Sequence, residues 1–207
     1  MPRIKAQYRA PGRPLKSPSH LTRLEPLGIF RLSDARKAGV PRQSLARLVD
    51  AGEIIHLEHD LYRHPDAGID PAIEDFAVAC ARFGPGTVIG GLSALFHHHL
   101  SDQAPKQIWV LVPPQKLSRS PRYRCLRTKT SLSIGIEDHV IFRITDVERS
   151  IAEAFRYATK LGLETAVRAA RMAMKSKLTT PTKILRRARE LKLESFVMKH
   201  WEAISIE

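Results

Sequence analysis

The chain has 207 residues, of which 34 are Lys or Arg and 21 are Asp or Glu, so its formal net charge is +13 and its pI is about 10.2. Its 43% of hydrophobic residues suit a packed core, and no apolar run is long enough to cross a bilayer. The two cysteines, Cys80 and Cys125, exclude a disulfide framework and a CxxC metal pair. We therefore expect a cytoplasmic protein whose partner is a polyanion.

Residues 1–20 are predicted to form a flexible basic arm. Every charged residue before Glu25 is basic, and prolines recur through the same stretch, where they break helices and strands alike. Arg9 and Arg13 are the arm residues that we expect to reach DNA, by insertion into a minor groove. The alternative is a solvated tail that only aids solubility.

Residues 21–66 show the order of elements of a winged helix-turn-helix domain. A short helix is predicted to end at Gly28, and a brief extended segment follows at Phe30 and Leu32. Ser33 can cap a helix over residues 34–38, and a second helix begins with Pro41 at its first position. Residues 54–62 then predict a two-stranded hairpin.

The helix after Pro41 is the predicted recognition helix. Leu45, Leu48 and Val49 form its apolar stripe, so the opposite face is free to enter a major groove. Arginine and glutamine side chains bond guanine and adenine edges, and serine can reach a phosphate. The residues expected to contact DNA from this helix are Arg42, Gln43, Ser44 and Arg47. A protein–protein module is the alternative for a trihelical domain of this kind.

Residues 67–207 predict a second domain, which makes the whole chain α+β. Helices are expected over residues 71–83, from Gly90-Gly91 through Phe96, over 147–176 and over 181–204. Strands are expected over residues 87–89, 108–112, 122–127, 131–136 and 139–144, in a mixed sheet. Phe76, Leu95, Val110, Ile151 and Phe155 are the predicted core, and the stretch around Gly68 is the predicted linker.

Catalytic, metal and cofactor sites are not expected. His97, His98 and His99 are consecutive, so on a helix they point about 100° apart and cannot share one ion. Asp146 is interpreted as a helix N-cap with Glu148 in the first turn, rather than as part of a carboxylate pair. No phosphate-binding GxxxxGK[ST] loop is present, and Gly90-Gly91 lacks a following lysine, so nucleotide binding through such a motif is not expected.

Histidines and basic residues elsewhere leave two interpretations open. His56, His59 and His64 lie along the hairpin and are expected to touch phosphates or solvent. Residues 116–129 form a second basic run without acids, in which Arg122 and Arg124 would share a strand face. The run either extends the DNA contact or meets RNA, or it is a solvated sheet edge whose charge opposes aggregation.

The segments 28–65, 88–114 and 144–171, in this order, resemble the AbiEi-type antitoxins of type IV toxin–antitoxin systems, which are associated with phage defence. The resemblance implies an N-terminal winged helix that represses its own operon by binding repeated promoter sites, and it allows cooperative self-association on DNA. It also implies a C-terminal domain that counteracts a nucleotidyltransferase toxin without the need for a stable complex. A stand-alone regulator is the alternative, and a nucleic-acid-processing enzyme is a third.

The resemblance also implies roles for individual residues. DNA contact falls on the predicted recognition helix, with Arg63 and the wing placed on the DNA backbone. The antitoxin role falls on the region around Asp146, Glu148 and Arg149. Because residues 67–207 contain apolar stripes of their own, we expect the two roles to reside in separate domains.

Overall fold

The computed structural model describes residues 19–205, which form two compact units. Within that range the first unit holds residues 19–56 and 62–67, and the second holds residues 57–61 and 68–205. Each unit combines helices with a small sheet, which confirms the predicted α+β class. No helix in residues 19–205 has the length and apolar character needed to span a membrane.

The segment 19–67 has the predicted order of helices followed by a hairpin, whose tip at residues 57–61 is counted with the second unit. A 3-10 turn at Glu25–Leu27 follows the first helix, and the hairpin strands join an earlier strand in a sheet of order β1-β3-β2. Its buried core contains residues from each of the three helices and from the first strand, and residues that lie just before the third helix and the second strand. The elements are α1 (His20–Leu24), β1 (Ile29–Arg31), α2 (Leu32–Lys37), α3 (Arg42–Asp50), β2 (Ile55–Glu58) and β3 (Leu61–Arg63).

The starts of α2 and α3 differ from the sequence prediction. The Asp34 carboxylate accepts a hydrogen bond from the Arg31 N–H at 3.1 Å, so α2 begins at Leu32 and Ser33 lies inside it rather than capping it. Leu32 is therefore helical rather than extended. Pro41 is extended, with ψ 154, and is the N-cap of α3 rather than its first residue. A carboxylate in the first turn of a helix can satisfy the N–H that precedes the helix, which moves the start of α2 towards the N-terminus.

The second unit is built around a five-stranded mixed sheet. Its order is β6-β5-β4-β8-β7, in which β5 pairs with β6 and β4 with β8 in parallel, while β4/β5 and β7/β8 are antiparallel. This pairing confirms the predicted mixed sheet. The elements that form and flank it are α4 (Pro71–Phe83), β4 (Val88–Ile89), α5 (Gly91–His97), β5 (Ile108–Val112), β6 (Tyr123–Arg127), β7 (Ile136–Asp138) and β8 (Arg143–Thr145).

A helical layer completes the second unit. The helix α6 packs against α5, α8, α9 and α10, and its apolar side chains join theirs in the largest buried cluster of the described chain. The five predicted core residues of this domain are all buried. The remaining helices are α6 (Val147–Arg156), α7 (Ala158–Leu161), α8 (Leu163–Lys175), α9 (Pro181–Glu190), α10 (Glu194–Met198) and α11 (Trp201–Ser205).

Four predicted elements of this unit are wrong in their extent. The strand expected over 139–144 is confined to β8, and the helix expected over 181–204 is divided into α9, α10 and α11. Residues 131–135 form a loop instead of a strand, because Gly135 has φ +66 and the Arg149 guanidinium takes the carbonyls of Ser131 and Ile134. These carbonyls are thus satisfied by a side chain and not by a neighbouring strand. The predicted helix over 147–176 is divided into α6, α7 and α8, with Gly162 at φ +91 between the last two.

Candidate nucleic-acid interface

The outer face of α3 is basic and exposed. Leu45 is 1% exposed in the core of the first unit, whereas Arg42, Gln43 and Arg47 are exposed and Ser44 is half-buried. Gln43 and Arg47 are four residues apart and therefore lie on one side of the helix. Within residues 19–205 neither Arg42 nor Arg47 has an ion pair or hydrogen bond through its guanidinium. Both charges are available to a ligand of the first unit.

The turn that precedes α3 fixes the direction of this face. Gly39 has φ +79 and donates its N–H to the Arg36 carbonyl at 2.9 Å, while the Val40 N–H donates to the Ala35 carbonyl at 2.9 Å. Val40 is then fully buried beside Leu45 in the first unit's core. A tight turn between two helices, with the second helix exposed at its N-terminal end, is the geometry by which helix-turn-helix domains present side chains to base edges.

The hairpin tip carries His59 in a left-handed conformation, with φ 42 and an exposed side chain. The acids on either side of it have partners within the second unit. The Tyr123 hydroxyl donates to the Glu58 carboxylate, and the Asp60 carboxylate lies 4.0 Å from the Arg82 guanidinium. Burial and the Glu58 carboxylate raise the pKa of Tyr123, which keeps this hydroxyl protonated as a donor. Glu58 thus has a hydrogen-bond donor as a partner, and Asp60 has a nearby cation.

The other hairpin residues divide between core and surface. His64 is 2% exposed, and its ring accepts a hydrogen bond from the Asp66 N–H at 3.2 Å, so the prediction that it touches phosphate or solvent is wrong. His56 is exposed and lies 5.0 Å from the Tyr62 ring between centroids. Arg63, expected on the DNA backbone, is half-buried in β3.

The arm residues Arg9 and Arg13 lie outside the described residues, which start at Ser19. Ser19 caps α1 through a hydrogen bond that its hydroxyl accepts from the Thr22 N–H at 3.2 Å. The predicted arm therefore extends too far at its C-terminal end, because residues 19 and 20 belong to the start of the first helix.

The three residues of the predicted antitoxin motif lie at the start of α6. Asp146 is the N-cap, as expected, and accepts from the Arg149 N–H at 2.7 Å. Its second oxygen accepts from the Arg187 guanidinium at 2.8 Å, which ties α9 to α6. Glu148 accepts from the Thr179 hydroxyl at 2.7 Å. Both acids are therefore engaged in holding helices of the second unit together.

Arg149 is wholly buried, and all three of its guanidinium nitrogens donate hydrogen bonds. Its Nε and Nη2 donate to one Glu153 oxygen at 3.1 and 2.9 Å, and its Nη1 donates to the Ser131 carbonyl at 2.6 Å and to the Ile134 carbonyl. Burial raises the pKa of Glu153, while the Arg149 charge acts in the opposite direction. The side chain joins α6 to the loop before β7, so it can act on a partner only by positioning that loop.

Sequence reasoning missed Glu153 and Arg187 as members of this network. The separation of four residues between Arg149 and Glu153 is the spacing of a helical ion pair, and the sequence contains this signal. The Asp146–Arg187 pair joins residues 41 positions apart, for which the sequence carries no local signal.

The consecutive histidines do not form a metal site. The His98 ring lies 2.7 Å from the Thr145 carbonyl, and the His97 ring centroid lies 6.5 Å from that of His139. Burial lowers the pKa of His97, and the neighbouring His98 and His139 lower it further. In the part of the chain that the structure describes, no three His, Cys, Asp or Glu residues are arranged to hold a metal ion.

The second basic run is divided among several local contacts. Arg122 precedes β6 and pairs with Asp75, so it does not share a strand face with Arg124. The Arg124 guanidinium lies over the Trp109 ring, 5.6 Å from its centroid, at the β6 edge of the sheet. The Lys116 ammonium donates to the carbonyls of Phe83 and Pro85. Several of these cations therefore stabilise the second unit itself.

Comparison with known proteins gives a match over residues 17–65, to the family described as transcriptional regulator, AbiEi antitoxin. This match confirms the predicted resemblance over the segment that contains α1 to β3, which is similar to the AbiEi antitoxin transcriptional regulators. No curated protein matches the chain.

Proposed function

We propose that this chain represses its own operon and acts as the antitoxin of a type IV toxin–antitoxin system against a nucleotidyltransferase toxin. In this proposal the segment that contains α1 to β3 binds operator DNA, and the part of the chain from residue 68 onwards counteracts the toxin. The observation that supports it is the exposed α3 face, whose Arg42 and Arg47 have no ion pair within the described residues, inside the segment that matches the family.

DNA contact is assigned to α3 and the adjoining basic residues. Arg42, Gln43 and Arg47 read base edges in the major groove, and Ser44 reaches a phosphate. The wing, with His59 and Arg63, and the arm residues lie along the DNA backbone, where cations release condensed counterions. The +13 charge of the chain suits a polyanionic partner such as DNA. In this proposal the chain acts in the cytoplasm and self-associates cooperatively at repeated promoter sites.

The antitoxin role is assigned to the second unit, with Arg149 as a positioning residue. Its guanidinium holds the carbonyls of Ser131 and Ile134, so the loop before β7 has a fixed shape that a partner or its product can recognise. At the start of the same helix, Asp146 accepts from Arg187 of α9, and Glu148 accepts from Thr179 in the segment before α9. A type IV mechanism does not require a stable complex between antitoxin and toxin.

The test separates repression from protection. The proposal requires a nucleotidyltransferase gene next to the gene for this chain. That gene is placed under an unrelated inducible promoter, and the full chain is supplied in trans, either wild type or as the Arg42→Ala/Arg47→Ala double variant. We expect both to rescue growth, while only the wild type binds the operon's promoter fragment in an electrophoretic mobility assay. Rescue by the wild type cannot then arise from repression of the toxin gene.

A stand-alone transcriptional regulator is the second candidate, and the end of the family match at residue 65 favours it. Promoter binding without rescue by the wild-type chain would select this candidate over the antitoxin. Rescue by the wild type but not by the double variant would instead make protection dependent on DNA binding, and the assignment of the two roles to separate units would be wrong.

A further inference from the structure

A cavity of about 560 Å³ opens in the second unit beside the C-terminal end of α4. Its walls come from two segments, the end of α4 and the loop that leads from β5 to β6. The lining residues are Arg82, Phe83, Gln115, Lys116, Leu117, Ser118, Arg119 and Ser120. The proposed function uses none of them.

The cavity lining is cationic and contains no carboxylate. Arg119 is exposed, and its guanidinium has no ion pair or hydrogen bond within residues 19–205. Lys116 is held in place because its ammonium donates to the Phe83 carbonyl and, at 3.2 Å, to the Pro85 carbonyl. Arg82 has Asp60 at 4.0 Å. The lining thus contributes three cations and no acid of its own, which favours an anion.

The two serines of the loop can donate hydrogen bonds to a ligand. The Ser118 hydroxyl oxygen accepts from the Ser120 N–H at 3.1 Å, and the Ser120 hydroxyl oxygen accepts from the Arg122 N–H at 3.3 Å. With an oxygen lone pair occupied by each of these bonds, each O–H proton is left to donate, and neither is given to an acceptor in the described part of the chain. Guanidinium, ammonium and hydroxyl donors together are the groups that bind phosphate oxygens.

The same cavity has an apolar wall. The Phe83 ring is fixed edge-to-face against the Tyr123 ring, with 5.2 Å between centroids. Leu117, also in the lining, is 64% exposed. The Phe83 ring, packed against Tyr123, and the exposed Leu117 side chain offer an apolar surface for a flat, weakly polar group such as a nucleobase.

We propose that this cavity binds a nucleoside polyphosphate, with the phosphates on Arg82, Lys116 and Arg119 and the base against Phe83 and Leu117. The volume lies within the range of small-molecule pockets and exceeds what a single phosphate fills. The ligand carries a chain of negative charges that matches the cluster of cations. Such a site gives the regulator a small-molecule ligand in addition to operator DNA.

The test is direct binding to the purified full-length protein, measured by isothermal titration calorimetry at fixed ionic strength. The probes are ATP, GTP, ADP, pyrophosphate, inorganic phosphate and adenosine. We expect ATP or GTP to bind more tightly than pyrophosphate, and pyrophosphate more tightly than inorganic phosphate, with adenosine the weakest. Arg119→Ala is expected to lower the affinity for the triphosphate about tenfold, since it removes a charge-assisted contact.

Two further variants locate the binding. Leu117→Ala is expected to weaken ATP binding several-fold and to leave pyrophosphate binding unchanged, because only the base touches this wall. Arg186→Ala removes an exposed arginine of α9 outside the cavity and is the matched control for the removal of one charge. Circular dichroism and the thermal midpoint of each variant check that the fold is retained.

Equal triphosphate affinity in Arg119→Ala and Arg186→Ala would overturn the site, because the binding would then be a general attraction of polyanions to a basic protein. Equal affinity for ATP and pyrophosphate would overturn the assignment of the base. Neither result depends on operator DNA or toxin, so the proposed function fails or stands independently.

Discussion

The helices α3 and α6 are both amphipathic and both contain arginine, but their arginines lie in opposite environments. In α3, Arg42 and Arg47 are exposed and have no ion pair within the described residues. In α6, Arg149 is wholly buried and its three guanidinium nitrogens all donate to oxygen atoms of the second unit. The comparison shows that residue type and helical spacing do not decide whether an arginine serves a ligand or the fold.

What decides it is how completely other elements surround the helix. The helix α3 packs on one side, against α1 and α2, so its opposite side stays in solvent. The helix α6 has α5, α8, α9 and α10 around it, and the loop before β7 closes over its start. The charge of Arg149 in α6 must therefore be neutralised by buried partners, because an unpaired buried charge costs several kcal/mol.

The largest expected effect follows from this contrast. Arg149→Ala leaves the Glu153 carboxylate buried without its partner and two loop carbonyls without a donor, so we expect the free energy of unfolding to fall by about 3–5 kcal/mol. Urea denaturation followed by circular dichroism measures the decrease. Arg186→Ala, on the exposed face of α9, is the matched control and should change stability by less than about 0.5 kcal/mol. Equal stabilities of the two variants would contradict the buried network.

The opposite behaviour is expected for α3. Arg42→Ala and Arg47→Ala should each weaken specific operator binding by about 1–3 kcal/mol, the value of a good bidentate base contact, and leave the free energy of unfolding unchanged. Fluorescence anisotropy with a labelled promoter fragment measures the affinity, and a scrambled duplex of the same length serves as the non-specific reference. Unchanged affinity in both variants would remove α3 from the groove.

A smaller and less selective effect is expected from the arm. Removing residues 1–18 keeps the Ser19 cap of α1 and should lower the affinity for specific and scrambled DNA by similar factors. For every phosphate that the arm neutralises, its removal should reduce the slope of log affinity against log salt by about 0.9. The same slope with and without these residues would show that they only aid solubility.

Much of the fold could be predicted from local sequence signals. The helix over 71–83 and the strand over 108–112 agree with the structure residue for residue, because a capping Asp70 with Pro71 and an uninterrupted apolar run are strong local signals. The exposed face of α3 could be predicted for the same reason, since three apolar residues at helical spacing leave one side free. The buried environment of His64 could not, because nothing adjacent in sequence shows which residues cover it.

The sequence by itself determined the winged helix order, the basic character of α3 and the N-cap at Asp146, since each depends on residues within one or two helical turns. Only the tertiary structure decided that Arg149 is buried and holds the loop before β7, that Arg187 reaches Asp146 from α9, and that Lys116 and Arg119 line a cavity beside α4. These arrangements join residues that are distant in the chain. Their free energy comes from burial and pairing, which no local pattern encodes.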